Sequence, residues 1–171
     1  MRVINVEIKA RSKRNDQIRD ILISRNADFR GEDHQVDTYF NSSAGRLKLR
    51  EGSIENNLIF YERPNRGGPK ASHCILYRND PGSSLKMILE KSIGVKVVVD
   101  KKREIYFLGN IKVHLDRVSG LGTFIEIEAQ SEEGDLGEEY LREQCFALMK
   151  DFGIEDSDLL KESYSDLLMP R

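Results

Sequence analysis

Residues 5–12 read NVEIKARS, in which Asn5, Glu7, Lys9 and Arg11 alternate with Val6, Ile8 and Ala10. A period of two places successive side chains on opposite faces of a β-strand. One face of this strand is therefore small and apolar, and the other is polar and mostly charged. In an ordinary half-buried strand the charges meet water, because an unpaired buried charge is costly. The same pattern recurs along the chain, however. Residues 45–51 set Arg46, Lys48 and Arg50 opposite Leu47 and Leu49, and residues 122–130 set Glu126 and Glu128, beside Phe124, opposite Ile125, Ile127 and Ala129. Residues 95–106 run Val95, Val97 and Val99 into Lys101 and Arg103 on one face, and residues 72–79 end near Arg78. Clustered cations on several strands and spaced carboxylates on two form a set able to neutralise one polyanion together with its metal.

Working outward, turn chemistry predicts eight strands, at residues 3–11, 36–41, 45–51, 58–63, 72–79, 95–106, 110–117 and 122–130. Eight is an even number suited to antiparallel closure. Helical spacing predicts a helix over 16–26, carrying Ile18, Ile21 and Leu22 behind an N-cap at Asn15 or Asp16. A second, over 83–92, buries Leu85, Ile88 and Leu89 and ends near Gly94. A third, over 135–152, presents Leu141, Leu148 and Phe152 and stops at Gly153; a last one, over 156–168, carries Leu159, Leu160, Tyr164, Leu167 and Leu168 before Pro170. In a barrel with a polar lumen, Val6, Ile8, Leu47, Leu49, Ile125 and Ile127 face outward and need these helices as a roof. The 171 residues suit a single domain, 1–171, of α+β but mainly β class.

Composition narrows the function classes. With 27 basic and 29 acidic residues the net charge is −2, without the basic excess of a nucleic-acid protein. Cys74 and Cys145 are far apart, as expected of reduced thiols in a cytoplasmic chain. His34, His73 and His114 are scattered, which argues against a zinc site. The apolar runs are short, so neither a membrane span nor a signal peptide is expected. The segment PNRGGP, residues 64–69, precedes Lys70 but lacks the glycine-rich pattern ending in Gly-Lys-Ser/Thr and leads into no helix. Any phosphates must then be held by side chains.

The stretch NVEIKA resembles the Glu-x-Glu-x-Lys strand of the CYTH superfamily, the triphosphate tunnel metalloenzymes. The resemblance continues through VDTYF (36–40), GRLKLR (45–50), LIFYERP (58–64), VVVDKKREIY (97–106), HLDRVSGLGTFIEIE (114–128) and SYSDLL (163–168). The last two favour the class IV adenylyl-cyclase-like branch. The resemblance implies a closed eight-stranded antiparallel barrel with the charged face indoors. It implies Mg²⁺ or Mn²⁺ held by Glu7, Glu126 and Glu128, with Lys9 joining these carboxylates in catalysis. It implies a triphosphate clamp of Lys9, Arg11, Lys48, Arg50, Arg78, Lys101 and Arg103. Asp116 is either a further acidic partner or a group that orients a cation or caps a turn. The substrate would be a small-molecule triphosphate: ATP, inorganic triphosphate or thiamine triphosphate. A homodimer is compatible with the resemblance, though no interface is visible in the sequence.

Three positions depart from the family pattern, of which Lys48, in place of Arg at the start of the pair with Arg50, is the mildest. Asn5 stands where the motif has its first Glu, so one charged ligand is replaced by an amide, which weakens metal binding. Glu62 stands where many members have Lys, narrowing the clamp or forming an internal pair. Three readings stay open: a metal-dependent triphosphate hydrolase, a class IV adenylyl cyclase converting ATP to cyclic AMP and pyrophosphate, and a polyphosphate or nucleotide binder without turnover, motivated by Asn5. Hydrolysis leads, because cyclisation needs base and ribose positioning that the sequence does not display.

Overall fold

The computed structural model describes residues 2–63, 68–132 and 135–170. Residues 64–67, within the PNRGGP segment, lie outside the described residues. Among those described, the strands are β1 (Arg2–Arg11), β2 (Asp28–Phe40), β3 (Arg46–Glu51), β4 (Asn56–Glu62), β5 (Lys70–Arg78), β6 (Val95–Leu108), β7 (Ile111–Val118) and β8 (Gly122–Glu132). The helices are α1 (Asn15–Ser24), α2 (Leu85–Ser92), α3 (Glu138–Asp151) and α4 (Tyr164–Leu168). The strands close into an antiparallel barrel in the order β1-β5-β4-β3-β2-β6-β7-β8, with β8 returning to β1. Closure satisfies the strand edges that an open sheet would leave exposed.

The period-two pattern puts the charged faces inside. Glu7, Lys9, Asp37, Arg50, Lys101, Arg103 and Glu126 are all buried. The outward faces of β1, β7 and β8 are covered by helices. Val6, Ile8, Ile125 and Ile127 pack with Ile18 and Leu22 of α1 and with Leu141, Cys145, Leu148 and Met149 of α3. Each such fully buried aliphatic or aromatic side chain contributes roughly 1.5–3 kcal/mol, so this outer core carries much of the stability while the lumen is left to chemistry. Leu47 and Leu49 lie outside that cluster, under no roof of α1 or α3.

Four expectations need correction. β2 begins at Asp28, eight residues earlier than its apolar content suggests, because its inward positions Asp33, Gln35 and Asp37 are polar and the hydrophobic alternation is missing. Gly31, at φ 119°, marks a shift of register against β6. The N-cap of α1 is Arg14, with no side-chain cap; Asn15 instead donates through Nδ2 to the Phe124 carbonyl at 3.3 Å. α2 buries none of its residues, and Met87 and Ile88 are more than half exposed. The predicted helix over 156–168 is broken: a short 3₁₀ turn spans Asp156–Asp158, Leu159 then bridges Ala10, the Leu160 N–H donates to the Lys9 carbonyl at 2.9 Å, and α4 starts only after Ser163. Ser163 caps α4 by accepting from the Asp166 N–H, and the Asp166 carboxylate accepts from the Ser163 N–H.

Candidate active site

The barrel encloses a cavity with about 840 Å³ of space between its atoms, counting the solvent of its open mouth. Asn5, Glu7 and Lys9 of β1 line it, as do Glu126, Glu128 and Gln130 of β8. Lys48 and Arg50 enter from β3, and Lys101 and Arg103 from β6. Ser163 and Tyr164 line it from the C-terminal segment, where Arg46 donates to the Ser163 hydroxyl at 2.7 Å and to Asp166 at 3.0 Å.

One side of the lumen is organised around Asp37. Its carboxylate accepts from Arg50 Nε and Nη2, both at 2.9 Å, from Lys101 Nζ at 3.0 Å and from Lys48 Nζ at 3.1 Å. Burial pushes this carboxyl up, but Arg50, Lys101 and Lys48 together hold it well below the usual range. The Lys101 ammonium is pushed down to about 7, first by burial and then by Arg103, with Asp37 opposing. Glu55, in the β3–β4 connection, accepts from Arg50 and Lys112 at 3.1 Å each. That connection is fixed by buried Asp33, whose oxygens accept from the backbone N–H groups of Ser53, Ile54 and Glu55 at 2.7–3.0 Å.

The opposite side is organised around Glu126. Its Oε1 pairs with Lys9 at 2.9 Å, and its Oε2 accepts from Arg103 at 2.7 Å and faces His114 Nδ1 at 3.3 Å. Burial raises the Glu126 carboxyl, and Arg103 and Lys9 reverse that, holding it well below the ordinary range. Asp116 grips Arg103 and accepts from the Tyr164 hydroxyl at 2.8 Å, so it orients a cation and does not line the cavity. Lys9 also sits 4.1 Å above the Tyr164 ring centre. Glu7 pairs with Arg63. His114, Glu126 and Glu128 present ligand atoms all within 4.8 Å of one another, so nitrogen and carboxylate oxygen converge where a divalent cation fits.

The lumen thus brings together Glu7, Lys9, Lys48, Arg50, Lys101, Arg103, Glu126 and Glu128, but two other expected cations are not among them. Arg11 is exposed and stacks over Phe124 at 5.1 Å, donating to the Leu121 carbonyl. Arg78 shares the parity of Ser72, Cys74 and Leu76, yet it is exposed at the strand end and outside the lining. Glu62 is exposed on the outer face, opposite His73, because Ile59 and Tyr61 take the inward parity; it neither narrows a clamp nor pairs inside. Arg63, the next residue, enters the lumen instead. Sequence reading missed Arg63, Asp37, Glu55, Lys112 and His114. For His114 the signal was its parity with Asp116 on β7, which sets it directly opposite Glu126 in the ladder.

Among the described residues, the lining side chains Lys9, Lys48, Arg50, Arg63, Lys101, Arg103 and Lys112 make seven cations against five carboxylates, Glu7, Asp37, Glu55, Glu126 and Glu128. The surplus is two positive charges. Asn5 is 7% exposed and its Oδ1 has no partner.

Comparison with known proteins agrees with this architecture. The CYTH domain family model matches residues 3–164. Adenylate cyclase CyaB of Aeromonas hydrophila is 26% identical over 170 residues, covering 95% of this chain and 87% of that protein. A Pyrococcus horikoshii OT3 protein of solved structure superposes with a TM-score of 0.80 at 22% identity, covering 96% of this chain and 99% of the other. A Hippeastrum protein, described as having a dominant triphosphatase activity, superposes with a TM-score of 0.59 at 17% identity, over 96% of this chain and 93% of the other. No described helix is long and apolar enough to cross a membrane.

Proposed function

Because the chain belongs to the CYTH domain family, we propose that it hydrolyses a small-molecule triphosphate, inorganic or organic, with the help of Mg²⁺ or Mn²⁺. The observation that carries this reading is the charge of the lumen. A triphosphate bears about four negative charges near neutral pH, and one divalent cation leaves two, which matches the two surplus positive charges of the lining. Lys48, Arg50 and Lys101 offer side chains to the phosphoryl oxygens once Asp37 yields them, with Arg able to bind in bidentate fashion. Lys9 and Arg103 hold the opposite side and keep Glu126 ionised. Glu7, Glu126 and Glu128 are the carboxylates that would hold the cation; when bound, it offsets charge developing on the phosphoryl oxygens. In hydrolysis the oxygen of water bonds to the terminal phosphorus, the bridging P–O bond breaks, the diphosphate or its ester departs with the electron pair, and the water's proton passes to a product phosphate oxygen or to solvent. Once drawn from Asp37 to the phosphoryl oxygens, these lumen charges stabilise that change.

A cyclase reading has in its favour the adenylate cyclase names of two curated relatives, each at 26% identity. Phosphorus NMR of the protein with ATP, inorganic triphosphate and thiamine triphosphate, each with Mg²⁺ and Mn²⁺ and with a Glu128→Ala control, separates the outcomes. Orthophosphate from the native protein and none from the control is the expected result. Cyclic AMP with pyrophosphate replaces the hydrolase by the cyclase, and unchanged spectra replace it by a binder weakened on the metal side at Asn5. The free thiols Cys74 and Cys145 support a cytoplasmic setting.

A further inference from the structure

We propose that His114 is a direct ligand of the divalent cation, making the site one of mixed imidazole and carboxylate donors that selects Mn²⁺ and later first-row ions over Mg²⁺. The inference deepens the metal-dependent reading above and rests on it only in that a cation enters the lumen.

His114 is 1% exposed, and its Nδ1 lies 3.3 Å from Glu126 Oε2 and 3.9 Å from Glu128 Oε1. Two donor atoms each about 2.1 Å from one cation, at right angles, stand about 3 Å apart. The separations here, 3.3 and 3.9 Å within a set spanning at most 4.8 Å, are wider, so the carboxylates must swing in by up to about an ångström or more to meet a common ion. The ring makes one hydrogen-bond contact, from Nδ1 to Glu126 Oε2, and its Nε2 has no partner among the described residues, so no second polar group holds it. With the proton on Nδ1, the bare Nε2 lone pair is buried. With the proton on Nε2, the Nδ1 lone pair faces two carboxylates, an arrangement that only a cation between them makes favourable.

A second, independent observation points the same way. Asn5 lines the cavity that Glu126 and Glu128 line, 7% exposed, and its Oδ1 has no donor among the described residues. An amide oxygen ligates divalent cations without adding charge. Unpartnered polar atoms of Asn5 on β1 and His114 on β7 thus lie on the two strands that flank Glu126 and Glu128 of β8. A ligand set of carboxylate, amide and water oxygens suits Mg²⁺, whereas an imidazole nitrogen shifts preference toward the transition ions.

The test uses Mn²⁺ alone with the full chain. Pulsed EPR of Mn²⁺ bound to the native protein is expected to show the hyperfine coupling of a directly coordinated imidazole nitrogen, altered by nitrogen-15 histidine labelling. His114→Ala is expected to weaken Mn²⁺ by about tenfold or more and to flatten the rise in affinity from Mg²⁺ through Mn²⁺ and Co²⁺ to Ni²⁺. Bound Mn²⁺ with oxygen ligands only, or no bound Mn²⁺ at millimolar concentration, overturns the proposal. The spectrum of the native protein decides even where the variant does not fold. Triphosphate turnover without nitrogen coupling leaves the hydrolase reading standing and removes this one. Nitrogen coupling without turnover does the reverse.

Discussion

Arg103 and Asp116 meet as a buried fork, with Nε 2.7 Å from Oδ1 and Nη2 2.6 Å from Oδ2. Their side chains are at most 2% exposed, and the same Nη2 also reaches Glu126. One guanidinium therefore compensates two buried carboxylates, and Asp116 fixes the direction from which it does so.

Removing that cation strands both anions. Arg103→Ala is expected to cost about 3–5 kcal/mol in urea unfolding, the range for breaking a buried pair by deleting one partner. Asp116→Asn, which keeps the shape and one acceptor, is expected to cost less. A loss below about 1 kcal/mol in Arg103→Ala contradicts this account.

Lys101 makes ligand binding depend on pH. Its folded-state pKa of about 7 lies below the ordinary lysine value of 10.5, so between these values the unfolded chain binds more protons than the folded one. Stability therefore rises with pH across that interval, and the penalty of the buried ammonium is fully present below it. A bound polyanion favours the ammonium and draws a proton back. Calorimetry of inorganic triphosphate binding at about pH 8, in buffers of different ionisation enthalpy, is expected to show proton uptake that Lys101→Met removes. Lys70 is also pushed down to about 7, by burial first, but it donates to the Leu160 and Lys161 carbonyls outside the lining. Lys70→Met is the control, expected to retain the uptake.

Asn5→Glu restores a carboxylate to a buried position. Without metal, the added charge is expected to lower Tm; with Mn²⁺ the Tm shift should exceed that of the native protein, because binding to the folded state alone is stabilising. Unchanged Mn²⁺ affinity and activity, alongside a Glu7→Ala variant that is inactive, would show that the amide at this position is not what limits the metal side.

Asp33→Ala leaves three backbone N–H groups of the β3–β4 connection without their acceptor. An unsatisfied buried donor costs about 1–3 kcal/mol, so a total loss of about 3 kcal/mol is expected in thermal or chemical unfolding. The same change frees Glu55 from its position on Arg50 and Lys112, so hydrogen exchange at residues 53–55 should accelerate more than at β1. Equal acceleration everywhere means Asp33 supports the barrel generally and does not hold this connection.

Legibility in the sequence followed the physics of each element. β1, β3 and β8 were readable because charged and apolar residues alternate strictly, and the outer core of Val6, Ile8, Ile125 and Ile127 came with them. The first half of β2 was not, since Asp33, Gln35 and Asp37 are inward residues of a kind that ordinarily marks loops. α2 shows the converse: Ile88 and Leu89 carry helical spacing, but the helix lies on the surface and buries neither. In the site, parity along a strand identified Lys48, Arg50, Lys101 and Arg103, but it does not say where a strand leaves the lumen, hence Arg78. Arg63 continues the inward parity of Ile59 and Tyr61 just past the end of β4, and it escaped notice because that face of the strand is otherwise free of charge. Asp37 and Glu55 escaped notice because their importance lies in which cations they occupy, a relation between strands distant in sequence.

Under the hydrolase activity proposed above, that occupation has a consequence for turnover. In the free protein the lumen cations already have internal anions: Asp37 for Lys48, Arg50 and Lys101, and Glu55 for Arg50 and Lys112. An incoming triphosphate must outcompete these carboxylates, and its high charge density lets it do so. The orthophosphate and diphosphate left after cleavage are separate and less highly charged, so each competes less well. Asp37 and Glu55 then act as a built-in eluent, retained in the wall of the barrel, that displaces product from the same cations that captured the substrate.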